Sequence, residues 1–142
     1  MQNPFSESRR PFLWPVAIAS LIFLASSQSN LPGPNIEGLD KVVHFSIYGL
    51  LATSVVRLGQ SRKAAWLALL VVSAYGVSDE WHQSFTPGRA VEFADWVADT
   101  LGAAVAILLY RNWPRYRSVL ERPAKRKSQV VNSQVRATVS TP

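Results

Sequence analysis

Leu67-Ala68-Leu69-Leu70-Val71-Val72 and, further on, Val105-Ala106-Ile107-Leu108-Leu109 decide how this chain is read. Both runs are apolar all the way round a helix. A helix of a water-soluble bundle carries an apolar stripe and a polar opposite face. In water, these runs would expose hydrocarbon on every side that is not packed, and a lipid solvent removes that conflict. Working outward, the two runs belong to apolar segments at 64–77 and 93–110, and two more segments precede them at 12–27 and 42–58. Each is close to, or somewhat short of, the ~20 residues that cross a bilayer. Snorkelling side chains and local thinning accommodate the shorter ones. The fold class expected is all-α, a polytopic membrane four-helix bundle.

The whole-chain averages hide this pattern. At 142 residues there is room for one domain, and 48% hydrophobic with 17% charged residues resembles an ordinary soluble protein. The charge is unevenly placed, however: residues 111–142 hold eight of the fifteen Lys and Arg. A net charge of +6 and a pI near 10.2 invite a nucleic-acid reading. The basic residues instead sit at the chain ends and in one short loop and form no stripe, which is the pattern of the positive-inside rule, so no nucleic-acid partner is expected. With no cysteine, disulfides and thiolate metal sites are excluded.

Alternate sides of the membrane then receive very different charge. Thirteen Lys and Arg fall on one side, and only Lys41 and Arg89 on the other. Both termini are therefore expected in the cytoplasm. The expected organisation is a cytoplasmic N-terminus at 1–11, a transmembrane domain at 12–110 and a basic, disordered cytoplasmic tail at 111–142. Ser29-Asn30-Leu31-Pro32-Gly33-Pro34 reads as a loop, and Thr86-Pro87-Gly88-Arg89 as a turn between helices three and four. An alternative remains open at the start. Arg9-Arg10, an apolar run and the small residues Ala25-Ser26-Ser27 also resemble a cleavable signal peptide, whose loss leaves three helices with unchanged orientation.

Ionisable groups inside apolar helices are costly, by roughly 2.5–3.5 kcal/mol each at mid-membrane on insertion scales, so their placement carries information. Asp40, His44 and Tyr48 recur every four residues along one face of helix two. Gly76, Glu80 and Gln83 line a face of helix three, with Asp79 beside it. Asp95, Asp99 and Gly102 share a face of helix four, continued by Ala103 and Ala106. At ~1.5 Å of rise per residue, the three sets reach similar depth in the outer third of the membrane. Small residues on helix four permit close approach of a neighbour. One polar pocket open to the outside is the simplest packing.

Plainer roles exist for several of these residues. Asp40 fits an N-cap of helix two, His44 a packing histidine, and His82 an exposed helix end. Asp95 fits a cap of helix four or a partner of Arg89. Glu80 and Asp99 have no such explanation. Trp66, Trp81, Trp96 and Trp113 fit interfacial anchoring. Seven of the nine acids lie on the outer side, so Arg89 is expected to pair with one of them, and crowding makes one carboxyl a candidate proton donor.

Three blocks carry a resemblance. They are Asp40-Lys41-Val42-Val43-His44-Phe45-Ser46-Ile47-Tyr48, Asp79-Glu80-Trp81-His82-Gln83-Ser84-Phe85-Thr86-Pro87-Gly88-Arg89 and Asp95-Trp96-Val97-Ala98-Asp99-Thr100-Leu101-Gly102. In this order they look like the VanZ-like family. The resemblance implies a small four-helix protein of the bacterial plasma (inner) membrane, in a family linked to glycopeptide (teicoplanin) resistance. It also implies that Asp40, His44, Tyr48, Glu80, Gln83, Arg89, Asp95 and Gly102 are characteristic positions. Asp99 departs from the pattern, because many members carry Asn there. No family signal is read in helix one or in the tail.

Two function classes follow. One is a non-catalytic membrane protein binding a cell-envelope lipid or a glycopeptide-like ligand through Asp40, His44, Tyr48, Glu80, Gln83, Arg89, Asp95 and Asp99. The other is a membrane enzyme acting on a lipid-linked substrate, with Glu80 or Asp99 as acid or base and His44 as partner. His44 and Asp40 are the candidate metal ligands, but no H-E-x-x-H spacing supports a metal, and the cofactor, if any, is left open. A proton or solute pathway is a third class that intramembrane acids can mark. There is no G-x-S-x-G elbow and no phosphate-cradling glycine loop. The missing nucleophile favours the binder.

Overall fold

The computed structural model describes residues 10–29, 36, 38–59 and 61–121. Four helices run in order: α1 (Arg10–Ser26), α2 (Leu39–Val56), α3 (Arg62–Gln83) and α4 (Phe93–Asn112). A shorter helix, α5, follows at 114–121, and no strand occurs among the described residues. The chain divides into two compact units, Met1–Ile107 and Leu108–Pro142.

Local chemistry sets the helix boundaries. Ser61 caps α3, its Oγ accepting from the Ala64 N–H at 3.0 Å, which satisfies one of the orphan donors of the first turn. The residue before α2 is Gly38, at φ 77°, and it offers no side-chain cap. Asp40 is therefore not the N-cap expected of it. It lies inside the first turn, where a carboxylate still suits the positive end of the helix dipole. Thr86 to Arg89 form the expected turn: the Arg89 N–H donates to the Thr86 carbonyl at 3.1 Å, with Pro87 at the second position and Gly88 at φ 80° in the third. That is a type II turn, and its third position is where glycine is needed.

In the second unit, α5 opens at Pro114, whose fixed φ and missing N–H suit a first helical position. The Tyr110 hydroxyl donates to Glu121 Oε1 at 2.8 Å. The start of the stretch expected to be disordered is thus helical. The rest of it, from Arg122, lies outside the described residues, as does most of the 29–34 loop.

In the first unit, α1 packs on α2 and α3, and α2 on α3. Ile18 and Ile22 of α1 meet a core made largely of small side chains, with Ala52, Ala65, Ala68, Ala103 and Ala106 among the buried positions. Between α2 and α4 the approach is backbone to backbone. A Cβ built on Gly102 would overlap the Phe45 peptide, and one on Gly49 would lie 3.2 Å from the Gly102 carbonyl oxygen. Most of the large apolar side chains of α3 point away from this core. Leu67 and Leu70 are 61% and 65% exposed. Two of the helices, α2 and α4, are long and apolar enough to cross a membrane, and the apolar part of α1, Pro11–Ser26, is shorter.

Candidate functional site

The 84–92 loop joins α3 to α4, and around it the helix ends carry the acids. The four-residue spacing in α2 becomes a gradient of burial: the Asp40 side chain is half exposed, His44 is part-buried and Tyr48 is fully buried. On the facing helices Asp79, Glu80 and Gln83 of α3 and Asp95 and Asp99 of α4 are all buried. The sets of α2 and α4 meet through His44 and Asp99. Asp99 Oδ1 lies 2.9 Å from His44 Nδ1, and with a carboxylate as acceptor that nitrogen carries the proton. The His44 ring stacks on Tyr48, with 6.2 Å between centroids and 7° between planes. Gly76 leaves the space that Asp99 occupies, since a Cβ there would sit 2.9 Å from Asp99 Oδ2.

A family model described as VanZ/LLP1 matches residues 2–114. The chain belongs to that family. No curated protein and no solved structure matches it. The match takes in α1 as well as the three motif blocks, so the family signal begins earlier than those blocks.

In this VanZ/LLP1 protein the cation among the acids is Lys41. Its Nζ contacts Asp40 Oδ2 and Glu92 Oε2 at 2.6 Å and Asp95 Oδ1 at 2.9 Å. Arg89, the partner expected from the sequence, instead donates from Nε to the Gln28 carbonyl at 3.3 Å. The reason lies in geometry: the type II turn directs Arg89 toward the end of α1, whereas Lys41 starts one residue from Asp40 and has the reach to bridge two helices. Asp95 accordingly pairs with Lys41. The three carboxylates could hold a cation, their ligand atoms lying within 4.8 Å of one another, and Lys41 is the cation they hold. Of the two candidate metal ligands, Asp40 faces this cluster and His44 faces Asp99, so they do not form a pair.

Glu80 has a structural duty that the sequence did not reveal. Its Oε2 accepts from the Glu92 N–H at 2.9 Å, holding the loop that leads into α4. Asp79, one residue earlier, serves a different helix: Ser26 Oγ of α1 donates to Oδ1 at 2.6 Å and Gln83 Nε2 to Oδ2 at 3.3 Å. The α1–α3 seam is further tied by Tyr75 donating to the Ala19 carbonyl at 2.7 Å and by Thr86 donating to the Ser26 carbonyl at 3.2 Å. His82, expected at an exposed end, is part-buried against α1. Its Nε2 lies 3.0 Å from Ser27 Oγ, and its ring stacks on Phe23 at 4.3 Å. Trp96 differs from the other tryptophans: its indole N–H reaches Ser73 O and Oγ at 3.2 Å, pinning α4 to α3, while Trp66 and Trp81 are exposed. Ser73 and Thr100 hydroxyls meet at 2.8 Å on the same seam.

Three buried atoms in this region have no hydrogen-bond partner among the described residues: Tyr48 Oη, Glu80 Oε1 and Asp99 Oδ2. The open space lies to one side of them. A cavity of about 420 Å³ runs between α1 and α3, walled by Phe23, Tyr75, Trp81 and Phe85 with Ser78, Asp79 and His82. None of Asp40, His44, Tyr48, Glu80, Gln83, Arg89, Asp95 and Asp99 lines this cavity, which touches the polar region through Asp79 and His82.

Proposed function

We propose that this VanZ/LLP1 protein is a polytopic four-helix protein of the bacterial plasma membrane that binds a polar part of a cell-envelope lipid or of a glycopeptide-like ligand. The binding groups are His44, Tyr48, Glu80 and Asp99. The observation that carries the reading is the trio of partnerless buried atoms, Tyr48 Oη, Glu80 Oε1 and Asp99 Oδ2. A buried polar group without a partner costs roughly 1–3 kcal/mol, more when charged, and a site that retains three of them is suited to a ligand rich in N–H and O–H donors. Hydroxyls, amides and amines of sugars and peptides have that character. Lys41 and its carboxylates lie one helical turn nearer the chain-reversal end than His44 and Asp99, so a ligand entering from that end displaces this ion cluster first.

The membrane part of the reading rests on α2 and α4, on the exposed Leu67 and Leu70 of α3, and on the division of basic residues, thirteen against two, which puts both termini in the cytoplasm. Reporter fusions after residues 28, 60, 90 and 142 test it, with activity of a periplasmic reporter expected at 28 and 90 alone. Binding is tested with purified protein in nanodiscs, titrated with teicoplanin and with envelope lipid. Wild type is expected to bind one of them, with affinity lost in Asp99→Asn and in Glu80→Gln. Absence of binding to both, or unchanged binding in both variants, ends the proposal.

A second reading has one specific observation in its favour. The His44–Asp99 pair beside Glu80 Oε1 is a hydrogen-bonded acid–base arrangement of the kind an enzyme on a lipid-linked substrate uses. Turnover abolished by Glu80→Gln while binding persists selects it over the binder.

A further inference from the structure

The groove between α1 and α3 lies on the other side of Asp79 from the network just described. Its walls are aromatic: Phe23 stacked on His82, and Trp81 edge-on to Phe85 with 5.5 Å between centroids. Trp81 and Phe85 are each 69% exposed, so the groove opens sideways at the level of the helix ends. Its volume, about 420 Å³, falls within the range of sites for small organic groups.

The charge of the wall is one-sided. No Lys or Arg lines the groove. Asp79 is 4% exposed, and among the described residues no cation lies within ion-pair distance of it. Ser26 and Gln83 each donate one hydrogen bond to it and the Tyr48 hydroxyl lies beside it, but no cation among the described residues balances a charge there. A buried carboxylate is tolerated when it is paired, and a lone one is costly. Ser78 lines the same wall, and its hydroxyl proton goes to the Tyr75 carbonyl, which leaves its oxygen free to accept. Aromatic faces around a carboxylate and a hydroxyl oxygen are the chemistry that recognises an organic ammonium, through cation–π attraction and charge pairing. An anionic headgroup would meet the Asp79 carboxylate there and no Lys or Arg.

We infer that the α1–α3 groove is a second binding site, which takes the ammonium headgroup of an aminophospholipid from the surrounding bilayer. The inference uses the membrane reading above, and its carboxylate, Asp79, also neighbours Tyr48 of the proposed ligand site. The lipid is the fitting source because the groove opens between helices that present Leu21, Leu24 and Val77 outward on either side. Once seated, the headgroup supplies the counter-ion that Asp79 lacks among the described residues.

Native mass spectrometry of the detergent-purified chain tests this, titrating phosphatidylethanolamine, phosphatidylglycerol and N-acylated phosphatidylethanolamine of matched acyl chains. Wild type is expected to prefer phosphatidylethanolamine over both others by about fivefold or more, the scale of a desolvated cation–π contact with charge pairing. Asp79→Asn is expected to level the three lipids, and Trp81→Leu to cut the preference roughly two- to fivefold. Trp81 is exposed, so its variant folds even where Asp79→Asn does not. Equal affinity for the ethanolamine and glycerol lipids, equal affinity for the N-acylated lipid, or a preference unchanged in Trp81→Leu overturns the inference. These failures are distinct from failure of the membrane reading, which would appear as a chain that stays soluble and monodisperse without detergent.

Discussion

The same three helices, α2, α3 and α4, are built by opposite rules in their two halves. Toward Ser61 and the middle of the helices, Thr53 and Ser54 turn their hydroxyls back onto their own helix, and the rest of the core, Leu51 and Ile107 apart, is Ala52, Val56, Ala65, Ala68, Val72, Ala103 and Ala106. These are small and without polar side-chain atoms, and specificity comes from how closely the backbones approach at Gly49 and Gly102. Toward the 84–92 loop, the interior is Asp79, Glu80, Gln83, Asp95 and Asp99, held by directed bonds to Ser26, Lys41, His44 and the Glu92 amide. Dispersion and close packing hold the first half. In the second half, every contact costs desolvation and repays it only with good geometry. A chain seeking stability alone would extend the first arrangement to both ends, so the second half is where function is to be sought.

The largest effect should come from the apolar half. Gly102→Leu places a side chain where the Phe45 backbone already lies, and α2 and α4 must separate to admit it. Overpacking of this kind costs about 3 kcal/mol or more when backbone has to move. Loss of the monodisperse peak in detergent size-exclusion chromatography, together with a lowered melting temperature, is expected. A wild-type-like profile would mean that the Gly102 contact does not organise the helices.

Asp99→Asn sharpens the contrast from the other side. The substitution keeps shape and can keep a bond to His44, but it removes a buried charge whose second oxygen has no partner. Stability should change little, while ligand affinity should fall by about tenfold or more, equivalent to ~1.4 kcal/mol. Asn is also the residue that the family resemblance leads one to expect at this position. Equal affinity in the two forms would place the determinant of binding at Tyr48 or Glu80.

How much of this was visible in the sequence follows the same divide. Apolar runs without a polar face located α1 to α4 but not α5, because hydrophobicity is a property of single residues and needs no partner to be read. The spacing of Asp40, His44 and Tyr48, and of Asp95 and Asp99, gave the His44–Asp99 contact, since i, i+4 repeats fix a helix face. What escaped was every contact decided by which helix stands on which side. Asp79 and Glu80 are neighbours about 100° apart around α3, so one reaches α1 and the other the α4 loop, and the sequence does not say which goes where. Lys41 and Arg89 were the two cations available to the acids, and only the turn geometry explains why Lys41 is the one that meets them. Ser26 was read as part of a candidate cleavage site. Its buried bond to Asp79 gives α1 a packing role that cleavage would remove.

Ser61→Ala tests whether the two halves are separable. The hydroxyl caps α3 at the end away from the acids, so its loss should lower stability by about 1 kcal/mol. Lipid and glycopeptide binding should stay as in wild type, measured in the same nanodisc titrations. A parallel loss of affinity would tie the polar half to the fraying of the far end of α3 and break the division between the halves.

The smallest expected effect lies at the ion cluster, and it is informative for its direction. Lys41, Asp40 and Glu92 are all substantially exposed, and pairs of that kind contribute no more than about 1 kcal/mol. Lys41→Met should therefore cost little, but it leaves three carboxylates whose oxygens lie within 4.8 Å of one another with no cation between them. Mutual repulsion then makes the cluster a site for a hard divalent ion, and Ca²⁺ accepts oxygen ligands at 2.3–2.6 Å. The melting temperature of Lys41→Met should rise on adding millimolar Ca²⁺, and that of wild type should not, because the ammonium already fills the centre. A wild-type protein stabilised to the same extent would mean that Lys41 leaves the carboxylates readily. The cluster would then be an open acidic surface, and the polar half would be held by the His44–Asp99 and Glu80–Glu92 bonds alone.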